Sequence, residues 1–172
     1  MSLWKKILIV LAVVFVGIQL VPYGRDHENP AVVQEPNWDS PQTKALAQRA
    51  CYDCHSNETK WPWYSHVAPV SWLVQHHVED GRKHLNFSRF DQPQKHAHES
   101  AEEIEEGEMP MAGYVLLHGE AKLSDAEKQL LMAGLKAMFP GKGHKKGGDG
   151  AAAGAGDGDH KADEDHKHDE GH

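Results

Sequence analysis

Apolar residues are distributed in three different ways along this chain. Residues 7–21 are apolar almost without interruption, Gly17 and Gln19 excepted, and follow a short basic start at Lys5 and Lys6. Residues 40–140 carry apolar side chains three to four apart, with polar residues between them, which is helical spacing. Beyond Pro140 the only apolar residues are alanines, set among Gly, Lys, Asp, Glu and His.

Punctuation residues divide the middle stretch. Ser40-Pro41 opens a helix as N-cap and first helical residue, and Ala45, Leu46, Arg49 and Ala50 carry it into Cys51. Trp61-Pro62-Trp63-Tyr64 reads as a turn or loop. Pro69 starts a second helix with Val70, Leu73, Val74, His77 and Val78 at helical spacing, ending at Gly81. After an irregular Asn86–Phe90, an acidic third helix is expected from Pro93 to Glu106, closed by Gly107. Ser124-Asp125-Ala126-Glu127 is a capping box. It opens a last helix with a stripe of Leu130, Leu131, Leu135 and Met138, stopped at Pro140-Gly141. No segment alternates as a strand does, so residues 40–140 are expected to form an all-α domain of four to five short helices.

Two readings fit residues 1–22. A cleaved signal peptide has this basic start and apolar run, but wants small residues before the cut. A membrane-spanning helix needs about 20 residues, reached by counting residues 3–22. Lys5 and Lys6, against Arg25-Asp26-His27-Glu28 on the far side, put its amino terminus in the cytoplasm. The uncleaved inner-membrane anchor is preferred over a soluble product of signal cleavage, and both readings put the rest of the chain in the periplasm. Residues 23–39, with Pro30 and Pro36, read as an extended tether or a strap across the domain. Residues 141–172 cannot bury enough apolar surface to offset their ordering entropy and read as a disordered tail. Its histidines, His144, His160, His166, His168 and His172, are candidate weak ligands for Zn, Cu or Ni. The formal charge of −8 over 172 residues argues against nucleic acid as a partner and suits docking to a basic redox protein.

The chemistry lies in Cys51-Tyr52-Asp53-Cys54-His55, which holds both cysteines of the chain. A disulfide between them would close a small strained loop, and no βαβ pattern accompanies it as in thiol redox motifs. Zinc would need a second ligand pair. At this spacing two thiols can each add to one vinyl group of a haem, and the next residue sets an imidazole under the iron. One covalent haem c per chain is therefore expected, attached through Cys51 and Cys54 with His55 as proximal ligand. The sixth ligand must come from a loop further along. Glu108-Met109-Pro110-Met111, after the Gly107 stop, offers Met109 first and Met111 second. Trp61 and Tyr64 are candidates for the cofactor's wall, and Arg82 for a propionate partner.

The Cys51–His55 motif, the Met-Pro loop and the terminal amphipathic helix together resemble a class I c-type cytochrome. More narrowly, five strings resemble the bacterial monohaem proteins of the haem-binding domain family. They are Cys51-Tyr52-Asp53-Cys54-His55-Ser56-Asn57-Glu58-Thr59, Trp61-Pro62-Trp63-Tyr64-Ser65, Ala68-Pro69-Val70-Ser71-Trp72-Leu73, Leu85-Asn86-Phe87-Ser88 and Gly107-Glu108-Met109-Pro110. The likeness spans residues 22–140. It implies a cytochrome c-like fold around one haem in a membrane-associated periplasmic protein. Met111 stands where the family often has a second proline.

A His55/Met109 pair leaves no iron position open, so the expected function is electron transfer with periplasmic or inner-membrane redox proteins, the chain held to the membrane through residues 3–22. The alternative is a haem-based sensor or small-gas binder with a labile sixth ligand. No distal His–Arg arrangement recommends peroxidase chemistry, and no enzymatic role is expected.

Overall fold

A computed structural model describes residues 2–141. The expected tail, residues 141–172, with its five histidines, lies outside the described residues but for Gly141. Seven α-helices follow one another: α1 (Leu3–Ile18), α2 (Pro41–Ala50), α3 (Tyr52–His55), α4 (Val70–His84), α5 (Ser100–Glu106), α6 (Ala112–Leu117) and α7 (Asp125–Met138). Single 3-10 turns lie at Trp63–His66, Ala97–Glu99 and Gly119–Ala121. Among the described residues there is no strand, only one isolated parallel bridge between Gln34 and Arg89. The all-α expectation stands.

The caps act as their sequences dictate. Ser40 Oγ accepts from Thr43 N at 3.1 Å, with Pro41 at the first position of α2. At α7, Ser124 Oγ accepts from Glu127 N at 3.3 Å, while the Glu127 carboxylate accepts from Ser124 N at 2.8 Å. These reciprocal bonds satisfy donors that the first helical turn leaves open. Arg49 then reaches from α2 to Glu127 at 2.6 Å and clamps the two helices together. Between α2, α5 and α7 lies the core, built on Leu46, Ala50, Tyr52, Phe87, Ile104 and Leu131.

Part of the segment 23–39 is a strap rather than a free tether. Val33 N and Gln34 N donate to Ser88 O at 3.0 and 3.2 Å, and Phe90 N donates to Gln34 O at 2.9 Å. Trp38 closes the strap by packing on Phe87, ring centres 5.3 Å apart.

Five expectations need correction. The N-terminal helix has 16 residues and covers about 24 Å at 1.5 Å per residue, short of the roughly 30 Å of a bilayer's hydrocarbon. No helix among the described residues is long and apolar enough to cross a membrane. At its C-cap, Gln19 turns its side chain to the domain, donating to Ala68 O at 2.9 Å and accepting from Ala68 N at 3.0 Å. The acidic helix starts at Ser100, not Pro93. Gln94 holds the preceding residues in a loop, accepting from Asn86 N and donating to Arg89 O. α4 passes through Gly81 and ends at His84. Residues 40–140 hold six α-helices rather than four to five, because the single turn α3 and the short helix α6 are added. On α7 the buried face is Leu131, Met132, Gly134 and Leu135, whereas Leu130 is 42% exposed. The stripe is therefore rotated by about one residue, because α7 is contacted from two sides, by α2 and by α5.

Candidate cofactor site

Where α2 ends decides where the motif points. Cys51 leaves helical geometry at φ −122°, and the single turn α3 carries Cys54 and His55 to the wall of a cavity of about 330 Å³, a usual volume for a cofactor site. Met109 and Met111 line the same cavity. The two thiols, the imidazole and both thioethers singled out from the sequence are thus brought together. Leu85, Phe87, Ile104, Leu131 and Leu135 make its apolar walls.

The imidazole of His55 is held from behind. Its Nδ1 lies 3.0 Å from Gly81 O and 3.1 Å from Leu85 O. Carbonyls only accept, so Nδ1 carries the proton and the Nε2 lone pair is left for a metal. Burial pushes the ring below the usual histidine pKa, against the opposing effect of the two carbonyls, so at neutral pH it is the uncharged, metal-binding form. The close approach depends on Gly81: a Cβ built there would stand 2.5 Å from Cys54 O. Phe87 N donates to His55 O at 2.8 Å. A buried chain lies behind it, with Asn86 donating to Asn57 Oδ1 and Asn57 N donating to Ser88 Oγ, each at 2.9 Å.

Cys51 and Cys54 are both free. Burial, then the neighbouring Cys54, pushes the Cys51 thiol up to about 12. Burial, then Asp53, pushes Cys54 up to about 11, with Arg82 opposing. Thiols held protonated are poor participants in disulfide exchange.

The opposite wall begins at Gly107, whose φ of +81° is the left-handed stop that glycine allows at a helix end. Met109 N then donates to Glu103 O at 3.0 Å, and the Met109 side chain packs against the core. Met111 is the N-cap of α6, and none of α6 is buried. Tyr114, which sequence reasoning missed, also lines the cavity and donates from its hydroxyl to Asp53 Oδ2 at 2.7 Å.

Three residues expected beside the cofactor do not line this cavity. Trp61 stacks on His27, ring centres 4.5 Å apart. Tyr64 Oη meets His118 Nε2 at 3.2 Å. Arg82 spends four N–H groups on Ser56 O, Glu28 O, Asn29 Oδ1 and Thr59 Oγ1, at 2.8 to 3.0 Å, tying the segment before the strap to the loop after the motif. No lysine or arginine lines the cavity, and its polar rim includes His77, His84 and His96.

Among the described residues no group of three or more His, Cys, Asp or Glu side chains is arranged to hold a metal ion. One imidazole and a thioether suit instead an iron already carried in a haem macrocycle, whose axial positions are what a protein supplies. The donor set, the apolar walls and the cavity therefore fit a haem. The haem-binding domain family matches residues 13–137, well over half of the chain. Comparison with curated proteins gives no match, and comparison with solved structures gives none either.

Proposed function

The chain belongs to the haem-binding domain family, and from that premise we propose that it is a monohaem c-type electron-transfer protein. The observation that carries the proposal is one cavity lined by Cys51, Cys54 and His55 together with Met109 and Met111. A haem bound there supplies a one-electron iron couple. Cys51 and Cys54 would hold it by thioether bonds, and His55 would offer Nε2, its tautomer set by Gly81 O and Leu85 O. Met109, or in second place Met111, would offer a sulfur to the sixth position. Such a ligand would close the site to substrates and raise the reduction potential. The apolar walls exclude water. We assign no bond-making chemistry to the site.

Thioether attachment would use up both thiols and so account for two cysteines without a disulfide in an oxidising compartment, which fits a periplasmic domain with redox partners there or in the inner membrane. The apolar side chains of α1 stay outside the core, none of them buried. An apolar helix left out of the core needs another apolar phase, which supports association with the membrane.

Absorption spectra of the purified oxidised and reduced protein, before and after extraction with acidified organic solvent, test the proposal. The expected result is haem absorption that stays with the polypeptide and a sulfur-to-iron charge-transfer band in the oxidised form. Complete extraction of the pigment would overturn covalent attachment. A second reading, a small-gas binder or sensor, is favoured by α6, which has no buried residue to hold it in place. Rapid and complete carbon monoxide binding by the reduced protein would select that reading.

A further inference from the structure

α6 begins directly at Met111, so whatever holds α6 also holds the Met109–Met111 segment. Packing holds it little: Leu116 and Leu117 are 83% and 64% exposed, and no residue of the helix is buried. Two polar links connect it to distant parts of the chain. Tyr114 donates to Asp53, 61 residues away, at 2.7 Å. His118, at the end of α6, meets the Tyr64 hydroxyl at 3.2 Å.

We propose that Tyr114 is a positioning residue, whose hydroxyl on Asp53 latches α6, and with it the methionine segment, against the turn that carries Cys51, Cys54 and His55. The proposal rests on the haem reading of the cavity. Asp53 is built to receive the latch. Its other oxygen, Oδ1, is already committed to Lys60 N at 3.0 Å, and its carbonyl accepts from Thr59 Oγ1 at 2.8 Å, so the carboxylate is oriented before Tyr114 arrives. Its backbone lies between the two cysteines, so the latch ends on the haem-attachment turn itself. The Tyr114 ring is fixed too, stacked on His118 with centres 4.1 Å apart and planes 22° from parallel. Burial first, and Asp53 next, push the phenol well above its ordinary pKa, so it remains a donor across the physiological range. With haem bound, the latch would keep the methionine sulfur at the cavity and exogenous ligands out, and its release would let them in.

A hydrogen bond to a charged group changes a two-state equilibrium by roughly ten- to hundredfold. The test uses the full-length haem-loaded protein as wild type, Tyr114→Phe, Asp53→Asn and Tyr64→Phe. In Tyr114→Phe, carbon monoxide should bind the reduced protein roughly ten- to hundredfold faster. Amides of residues 109–118 should exchange with solvent faster by a similar factor, while those of residues 81–87 stay unchanged. Asp53→Asn keeps an acceptor and should fall between, and it carries the test alone if Tyr114→Phe does not load haem. Tyr64→Phe should show the smaller effect, since it removes only the weaker link. Unchanged carbon monoxide rates and unchanged exchange in Tyr114→Phe would overturn the latch. If the wild type already binds carbon monoxide rapidly and completely, methionine ligation is overturned, and exchange at 109–118 alone decides the latch: faster supports it, unchanged refutes it.

Discussion

The two walls of the cavity are held by different kinds of bonding. On the His55 side, the carbonyls of Gly81 and Leu85 hold the ring, an amide of Phe87 holds its backbone, and the fully buried Asn57–Asn86–Ser88 chain lies behind them. On the methionine side, Met109 touches the core, but Met111 and α6 depend on side-chain links that cross half-exposed ground. Buried hydrogen bonds are costly to leave unmade, whereas exposed ones exchange with water at little loss. The difference makes one wall a fixed mount and the other a cover, and stability should be distributed the same way.

Removing both thiols breaks the fixed wall most completely. The Cys51→Ala, Cys54→Ala protein should retain no pigment after extraction with acidified organic solvent, where the parent retains all of it. The cover is tested next by deleting each sulfur. Met109→Ala should abolish the sulfur-to-iron band, and Met111→Ala should leave it; the reverse outcome would move the ligand to Met111. Two glycines then compare the walls directly. Gly81→Ala sets a Cβ 2.5 Å from Cys54 O and should lower unfolding stability by about 2–3 kcal/mol in urea titrations. Gly113→Ala, on α6, meets nothing within 4 Å and should be neutral or stabilising by up to about 1 kcal/mol. The smallest effect concerns neither wall. Backbone and side-chain bonds from Ser124, together with Arg49, lower the Glu127 carboxyl from 4.5 to about 2. Its pKa is depressed by folding, so its contribution is complete above pH 4.5 and disappears as the pH falls toward 2. Thermal unfolding of Glu127→Gln should accordingly lose part of the parent's pH dependence between those values.

Features with a local cause were legible in the sequence. The Ser40–Pro41 start, the Ser124–Glu127 box, the Gly107 stop and the Cys-x-x-Cys-His spacing each depend on residues within one or two turns. What escaped depends on distant partners. Gly81 looked like a helix end, yet it sits inside α4 to admit Cys54, 27 residues earlier in the chain. Arg82 carried no sign that backbone carbonyls would take its guanidinium instead of a propionate. Tyr114 lies in a six-residue helix too short to show a period, and its importance comes from an aspartate on another element. Similarly, Leu130 and Leu131 look equivalent until α2 and α5 pack on α7 from their two sides.

Gln19 interrupts the apolar run and looks like a blemish in it. Its amide nevertheless pairs with both the N–H and the carbonyl of Ala68, as one peptide group pairs with another. Ala68 stands just before α4, and Gly81 in its last turn and Leu85 at its cap supply the carbonyls that hold His55. A tug on α1 thus has a short mechanical route to His55, through Gln19, Ala68 and a helix of 15 residues. The first helix is wired into the mount, as a lever is joined to its bearing, and a load on it is felt at α4 without having to pass along the strap.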